Sequence, residues 1–313
     1  MIVVKNINSF KLKLQGIMMK KAVKIPEGYS YISAFLTMRC NLDCSFCLNN
    51  LESSKEFDRK RFKEISGRQW VDALNKIDSR QGVPITFSGG EPFLHKDFIY
   101  IINNLKPELE IDILTNLQWG KKGIEGFIRE INPERIKRNS PYASIRVSYH
   151  PEQMDADKLV RNTMKMKESG FSIGIWAVLY PSPEQLSAIN QMQFRCKEAG
   201  IEFRLKEFTG KYKGKLYGDY SKYPGSVMHE NLRNCLCRTS ELLMGTNGNV
   251  YRCHRDLFAE ENPAGSILSD EFKIEDEFKK CRKYGQCHPC DVKVKTNYNQ
   301  KLGHTSVKIR DIH

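Results

Sequence analysis

Residues 31–47 read YISAFLTMRCNLDCSFC, a β-branched and aromatic run that gives way to three cysteines within eight positions, Cys40, Cys44 and Cys47. The run predicts a buried strand over 31–37, and the cysteines a loop at its C-terminal end, where βα barrels keep their chemistry. Downstream the beat recurs: strand-like stretches at 84–87, 110–115, 144–149, 172–179 and 201–207 alternate with helical patterns, the signature of βα units on a parallel sheet.

The helices between them have readable ends. Ser182, Pro183 and Gln185 predict a hydroxyl N-cap, a proline in the first turn and a reciprocal capping box, with Gly200 as the stop. A second helix starts at Asp155, carries Leu159, Val160 and Met164 on one face and stops at Gly170. Six βα units fall short of the roughly 250 residues of the eight-fold barrel. The expected class is therefore α/β, a partial (β/α)6 TIM-like barrel over residues 31–209 with a small C-terminal cysteine-rich domain over 235–291, organised by metal rather than by a core. Residues 1–30 read as a strand or hairpin extension, 210–234 as a linker and 292–313 as a tail.

Hydrophobic residues make up 40% and charged residues 28% of 313, which excludes a disordered chain. No apolar run approaches the roughly 18 residues of a membrane span. Lys5, Lys11 and Lys13 interrupt the place of a secretory h-region, so a cytoplasmic protein without a membrane partner is expected. The balance of 50 basic against 37 acidic residues, a net +13, is spread along the chain. It admits a nucleotide, a phosphorylated metabolite, an acidic peptide or a nucleic acid, or simply solvated lysine faces.

Ten cysteines in such a chain point to metal or redox work. Six lie at Cys235, Cys237, Cys253, Cys281, Cys287 and Cys290, while Cys196 falls on an apolar helix face as a core residue. Three thiolates at Cys40, Cys44 and Cys47 suit three irons of a 4Fe-4S cube, the fourth iron staying open to a small molecule. Zinc or structural thiols are the other reading.

Cys40-x3-Cys44-x2-Cys47, with Phe46 before the last cysteine, resembles the Cys-x3-Cys-x-aromatic-Cys signature of the radical S-adenosylmethionine (radical SAM) superfamily. Ser88-Gly89-Gly90-Glu91-Pro92 resembles its Gly-Gly-Glu-Pro motif. The resemblance implies a 4Fe-4S cluster on the three cysteines, Phe46 beside the cofactor, and Gly89, Gly90 and Glu91 at the methionyl amino end of S-adenosylmethionine. Paired glycines would let backbone approach a ligand, and a carboxylate suits an ammonium. Ser148 stands where related enzymes place a cofactor-contacting serine, and Thr115-Asn116 resembles a Thr-Asn-Gly run, with Leu117 in place of glycine, which implies that Thr115 and Asn116 also contact the cofactor.

Cys237-x10-Gly248-x4-Cys253 and Cys287-x2-Cys290 resemble the auxiliary-cluster extensions called SPASM or, at half size, twitch. The resemblance implies one auxiliary 4Fe-4S cluster on Cys237, Cys253, Cys287 and Cys290. Cys235 or Cys281 could displace one of the four, and a four-thiolate zinc site is the alternative.

The implied chemistry is cleavage of S-adenosylmethionine to a 5'-deoxyadenosyl radical and hydrogen abstraction, fed by a low-potential donor such as flavodoxin or ferredoxin. The expected outcome is dehydrogenase-like oxidation of a small or anionic metabolite. Arg146, His150, Lys206 and Glu207 are read as inward-pointing strand-end residues, His150 foremost as a base because its ordinary pKa lies near neutrality. Modification of a peptide is the alternative, with thirty residues before the first strand too few for a leader-binding module. A nucleic-acid substrate is supported by charge alone, and a non-catalytic iron-sulfur or zinc scaffold is opposed by the intact Gly-Gly-Glu-Pro.

Overall fold

The computed structural model describes residues 21–47, 62–78, 82–208, 210–217, 233–284 and 306–312. Strand β1 (Val23–Lys24) is followed by β2 (Tyr31–Thr37), α1 (Gly67–Leu74), β3 (Ile77–Asp78) and β4 (Ile85–Gly89). Then come α2 (Phe98–Asn104), β5 (Ile111–Thr115), α3 (Gly120–Glu130), β6 (Ile145–Tyr149), α4 (Ala156–Glu168), β7 (Ile173–Leu179), α5 (Pro183–Glu198) and β8 (Glu202–Glu207). Strands β2, β4, β5, β6, β7 and β8 pair in that order and all in parallel, the partial six-stranded barrel that the alternation predicts.

Strand periodicity divides the two faces of this sheet. Ile32, Ala34, Leu36, Ile85, Phe87, Ile111, Ile113, Ile145, Val147, Ile173 and Ile175 share one core with Trp70, Ile101, Phe127, Leu159 and Met192 of the helices. The alternate positions, on the concave side, carry Ser33, Thr86, Ser88, Asp112, Arg146 and Ser148. Closed barrels usually fill this space with branched apolar side chains. Here it is polar.

Helix ends follow their sequences with one exception. Asp155 accepts from Lys158 N to cap α4, and Gly170 ends that helix at φ 92°. Ser182 accepts from Gln185 N, but the Gln185 side chain is buried with Oε1 unpartnered, so the reciprocal half of the predicted box does not form. A complete capping box sits instead on α1, between Ser66 and Gln69.

Part of the C-terminal region, expected to be organised by metal rather than by a core, has a core on the barrel. After a hairpin of β9 (Gly210–Tyr212) and β10 (Lys215–Tyr217), inside the stretch read as a linker, come β11 (Arg233–Thr239), β12 (Glu241–Met244) and β13 (Asn249–Tyr251). These are followed by α6 (His254–Ala259), β14 (Gly265–Ser266), β15 (Lys279–Tyr284) and β16 (Val307–Asp311). Strand β12 pairs in parallel with β2, and β13 and β14 continue antiparallel, extending the barrel into a nine-stranded sheet. Leu242, Met244, Val250, Ile267 and Phe272 join the barrel core. Hydrophobic burial on the barrel's own sheet therefore orders residues 241–272.

Lys76 staples the two parts together. Its ammonium, on a side chain only 4% exposed, donates to Leu268 O (3.3 Å) and Ser269 O (3.0 Å) and faces Asp270. Lys76→Met is expected to cost about 1–3 kcal/mol in urea unfolding, because it strips the donor from two carbonyls; a loss within error would mean that the packing alone holds the extension.

Strands β15, β11 and β16 form a separate antiparallel sheet in which Cys235 faces Cys281 across the ladder, beside Val307 and Ile309. Cys196 is fully buried, and burial pushes its thiol up to about 12, as suits a core residue. Among the described residues no helix is long and apolar enough to cross a membrane.

Candidate active site

The cysteine loop leaves the C-terminal end of β2 and is tied down on every side. Arg39 makes a fork on Glu64 (Nε–Oε1 and Nη2–Oε2 both 2.9 Å) and donates to Leu94 O at 2.8 Å, while Thr37 Oγ1 also donates to Glu64. On the β6 side, Glu152 accepts from Ser45 N (2.7 Å) and Ser45 Oγ (2.9 Å). Gln153 brackets Asp43, accepting from its N at 3.3 Å and donating to its O at 3.0 Å. The sequence reading missed Glu64, Glu152 and Gln153; the last two directly follow His150-Pro151 at a strand end, the one cue that was available.

Gly89 and Gly90 serve their own chain first. Gly90 N donates to Thr37 O and Glu91 N to Arg39 O, both at 2.8 Å, zipping the motif to the stem of the cysteine loop. A Cβ on Gly89 would lie 2.1 Å from Thr37 O, and one on Gly90 2.1 Å from Arg39 O. The close approach that glycine permits is thus to the β2 stem, not only to a ligand.

Glu91 is likewise committed. Its carboxylate accepts from Thr115 Oγ1 (2.8 Å), Asn116 N (2.7 Å), Trp119 Nε1 (3.0 Å) and Phe93 N (3.2 Å). Burial pushes the carboxyl above its ordinary range against the pull of these donors. Three of these donors fall on Oε1 and one on Oε2, so the carboxylate is largely spent inside the protein, as is the Glu91 carbonyl, which accepts from Leu94 N at 3.0 Å. Thr115 also accepts from Leu117 N at 2.9 Å, and Leu117, buried where a glycine was noted to be missing, holds φ 54°. That conformation costs a leucine roughly 1–2 kcal/mol.

Asn116 reaches the cysteine loop itself. Its Nδ2 donates to Asn41 Oδ1 at 2.8 Å and to Cys40 Sγ at 3.7 Å, and Leu42 N donates to the same sulfur at 3.5 Å. Two N–H dipoles aimed at one sulfur favour the thiolate, the form in which cysteine binds iron. Among the described residues, no three Cys, His, Asp or Glu side chains close around a single metal ion.

Phe46 stacks on Tyr180 with centroids 4.8 Å apart and lies 5.5 Å from the His150 ring. His150 follows Ser148 on the concave parity of β6; burial lowers its pKa, and its Nδ1 is buried without a hydrogen-bond partner. A neutral imidazole with an unfilled nitrogen is competent to accept a proton.

Of the other inward candidates, Arg146 points inward but sits at the far end of its strand, and Glu207 is corrected. Arg146 lies second in its strand, away from the cysteine loop, and forks onto Asp112, which Arg138 also contacts at 3.4 Å. Glu207 pairs with Leu179 on the helix-side parity, whereas Lys206, opposite Val178, keeps the concave one.

The second cysteine group sits at the other end of the same sheet. Cys253 is the N-cap residue of α6, whose Leu257 and Phe258 pack with Phe35, Leu243 and Tyr251 on the concave side. Arg252 donates to Cys237 O and to Cys237 Sγ (3.4 Å), linking the two cysteines. His254, next in sequence, comes within 3.7 Å of Glu241, which pairs with Tyr31 at the start of β2. Cys237 and Cys253 therefore stand near the N-terminal end of β2 and the Cys40–Cys47 loop beyond its C-terminal end, with about 20 Å of strand between. Cys287 and Cys290 lie outside the described residues.

Comparison with known proteins places this geometry. Residues 35–172 match the Radical SAM superfamily. The GTP 3',8-cyclase of Nautilia profundicola is 22% identical over 193 residues, 59% of this chain and 58% of its own length. The "Probable GTP 3',8-cyclase" of Methanocella arvoryzae is 39% identical over 82 residues, 26% of this chain and 24% of its own. The crystal structure of Streptococcus suis SuiB superposes with a TM-score of 0.49 at 15% identity, over 78% of this chain and 64% of that one. The chain thus spans less than two thirds of the length of each of these relatives. Residues 35–172 therefore carry a segment of the Radical SAM superfamily, with both the Cys40–Cys47 and the Gly89–Pro92 motif inside it at successive strand ends.

Proposed function

We propose that Cys40, Cys44 and Cys47 hold the radical-generating 4Fe-4S cluster, and that Cys237 and Cys253, together with Cys287 and Cys290, hold an auxiliary one. On this reading the enzyme oxidises a small anionic substrate in the interior between them. The observation that carries it is the polar concave face, flanked by cysteines at opposite ends of β2. When bound, the first cluster supplies reductive cleavage of S-adenosylmethionine to a 5'-deoxyadenosyl radical that abstracts a hydrogen atom from the substrate.

The chain's own residues do the rest. Ser148 and the Phe46–Tyr180 stack border the radical end of the interior. Two guanidiniums against one carboxylate at Arg146, Arg138 and Asp112 leave a positive charge for the substrate's anionic group. His150 would take the proton that leaves with the oxidation, and an auxiliary cluster held at the Cys237–Cys253 end would supply the one-electron acceptor that balances it. GTP, the substrate in the curated relatives' name, is an anion of this class and belongs in any substrate panel.

Anaerobic reconstitution of wild type and of a Cys40→Ala/Cys44→Ala/Cys47→Ala triple variant tests the reading. About eight irons per chain falling to about four, with 5'-deoxyadenosine formation lost, is the expected result. About four irons plus one zinc in wild type would sink the auxiliary cluster and its electron-accepting role. Turnover of a peptide alone from a mixed panel would transfer the function to peptide modification.

His150→Gln is expected to lower substrate turnover about 10²–10⁴-fold while abortive 5'-deoxyadenosine formation persists. The sign of the pH dependence follows from burial. A base must be neutral, and a lowered pKa keeps His150 neutral further into acid, so turnover should hold below about pH 6.5, the ordinary histidine value. A profile that falls off above that pH on the acid side would assign the proton to another group.

A further inference from the structure

We propose that Asn116 is a positioning residue for the catalytic cluster: its side-chain amide donates an N–H···S hydrogen bond to Cys40 and thereby raises the reduction potential of the cluster held there. This rests on the reading of Cys40, Cys44 and Cys47 as iron ligands. It departs from the resemblance, which would turn Asn116 toward S-adenosylmethionine.

The amide's orientation is fixed by main-chain groups whose roles are not interchangeable. Asn116 Oδ1 accepts from Gln118 N at 2.8 Å, which forces Nδ2 to the opposite side, toward Asn41 Oδ1 (2.8 Å) and Cys40 Sγ (3.7 Å). Asn41 is oriented in turn, because its own Nδ2 donates to Gln118 O at 2.8 Å. Flipping either amide sets donor against donor or acceptor against acceptor at the backbone of residue 118. Both ends of the Asn116 amide are thus engaged within the chain, one of them on the sulfur.

The donor is also held from behind. Asn116 N donates to the buried Glu91 carboxylate at 2.7 Å, the bond that ties the Gly-Gly-Glu-Pro motif to the end of β5. Glu91 N in turn donates to Arg39 O, one residue before Cys40. The dipole aimed at Cys40 is therefore preorganised by the same motif that anchors the loop, and no reorganisation is needed when charge arrives.

The sign of the effect follows from charge. Reduction adds an electron that is shared onto the thiolate sulfurs, and an N–H dipole pointed at one of them stabilises the reduced state more than the oxidised one. Removing the donor makes the cluster harder to reduce. Replacing it with a carboxylate, which fits the same space and still accepts from Gln118 N, does so more strongly.

The test is a redox titration of the reconstituted protein followed by the electron paramagnetic resonance of the reduced cluster, in wild type, Asn116→Ala, Asn116→Asp and Asn41→Ala. At the potential where wild type is half reduced, Asn116→Ala should show a reduced-to-oxidised ratio about tenfold lower, a shift of about 59 mV for one electron, and Asn116→Asp a lower ratio still, both with wild-type iron content. Asn41→Ala removes the tether between the loops but keeps the N–H···S donor, so its shift should be the smallest. An unchanged midpoint in Asn116→Ala, or an equal shift in Asn41→Ala, overturns the proposal and leaves the ligand reading standing. A wild-type signal that does not depend on Cys40 overturns both.

Discussion

Gly90→Ala is expected to reduce 5'-deoxyadenosine formation to below about one hundredth of wild type, with partial loss of iron, because about 1 Å of misplacement at a reacting centre costs of the order of 10²-fold. The new Cβ would lie 2.1 Å from Arg39 O and 2.5 Å from Met38 O. Both are backbone atoms in the stem of the cysteine loop, and Arg39 O already accepts from Glu91 N. A side chain could swing away; a stem held by the Arg39–Glu64 fork and by Gln153 on Asp43 has no such freedom. Either the loop or the end of β4 must move, at an overpacking cost of about 3 kcal/mol. Gly90's own φ lies outside the left-handed region, so the clash alone is being measured. Gly82→Ala is the matched control: its φ is 84° with nothing within 4 Å of the added carbon, so it should lose about 1 kcal/mol and keep full iron and cleavage. If Gly90→Ala retained wild-type iron and cleavage, the zipped stem would not be what positions the three cysteines.

What could be read from the sequence was whatever is encoded locally. The first barrel strand was placed to the residue, 31–37, and the others to within a residue or two, because β-branched runs between helix caps are local signals. The Gly-Gly-Glu-Pro motif was legible as a motif, but its first partner is the carbonyl ladder of residues 37–39, some fifty positions upstream, which no spacing rule reveals. Strand β12, only Glu241–Met244, is too short to declare its type, and its parallel pairing with β2 spans some two hundred residues. That is why the sequence does not announce that residues 241–272 extend the barrel's sheet. Gln185 satisfied the pattern of a capping box, yet tertiary packing drew its side chain into the core. Arg146 and Glu207 were misplaced for two different reasons: an ion-pair partner on the neighbouring strand that spacing does not show, and a one-residue parity error at a strand end.

Asp112→Ala should cost about 3–5 kcal/mol in urea unfolding, the usual result of removing one partner from a buried ion pair. The Asp112 side chain is 1% exposed and lies between Arg146, 12% exposed, and Arg138, 4% exposed. Truncation leaves two like charges facing each other across a desolvated space. The double variant Asp112→Ala/Arg146→Met should recover much of that loss, since exchanging a whole pair for apolar volume is often neutral. Recovery would assign Arg146 mainly to holding the barrel interior together, while Arg138 and the surplus positive charge stay available to an anion. Inorganic phosphate provides the discriminating step. If the interior admits anions, phosphate should stabilise Asp112→Ala more than wild type, because a ligand that binds only the folded form adds RT ln(1 + [L]/Kd) and the variant has two guanidiniums to offer where wild type has one neutralised. A loss below about 1 kcal/mol, the range of an exposed pair, would mean that water already reaches these charges. The argument that the interior selects an anionic substrate by desolvated charge would then fall, and the substrate class would have to be sought at the rim around Lys206.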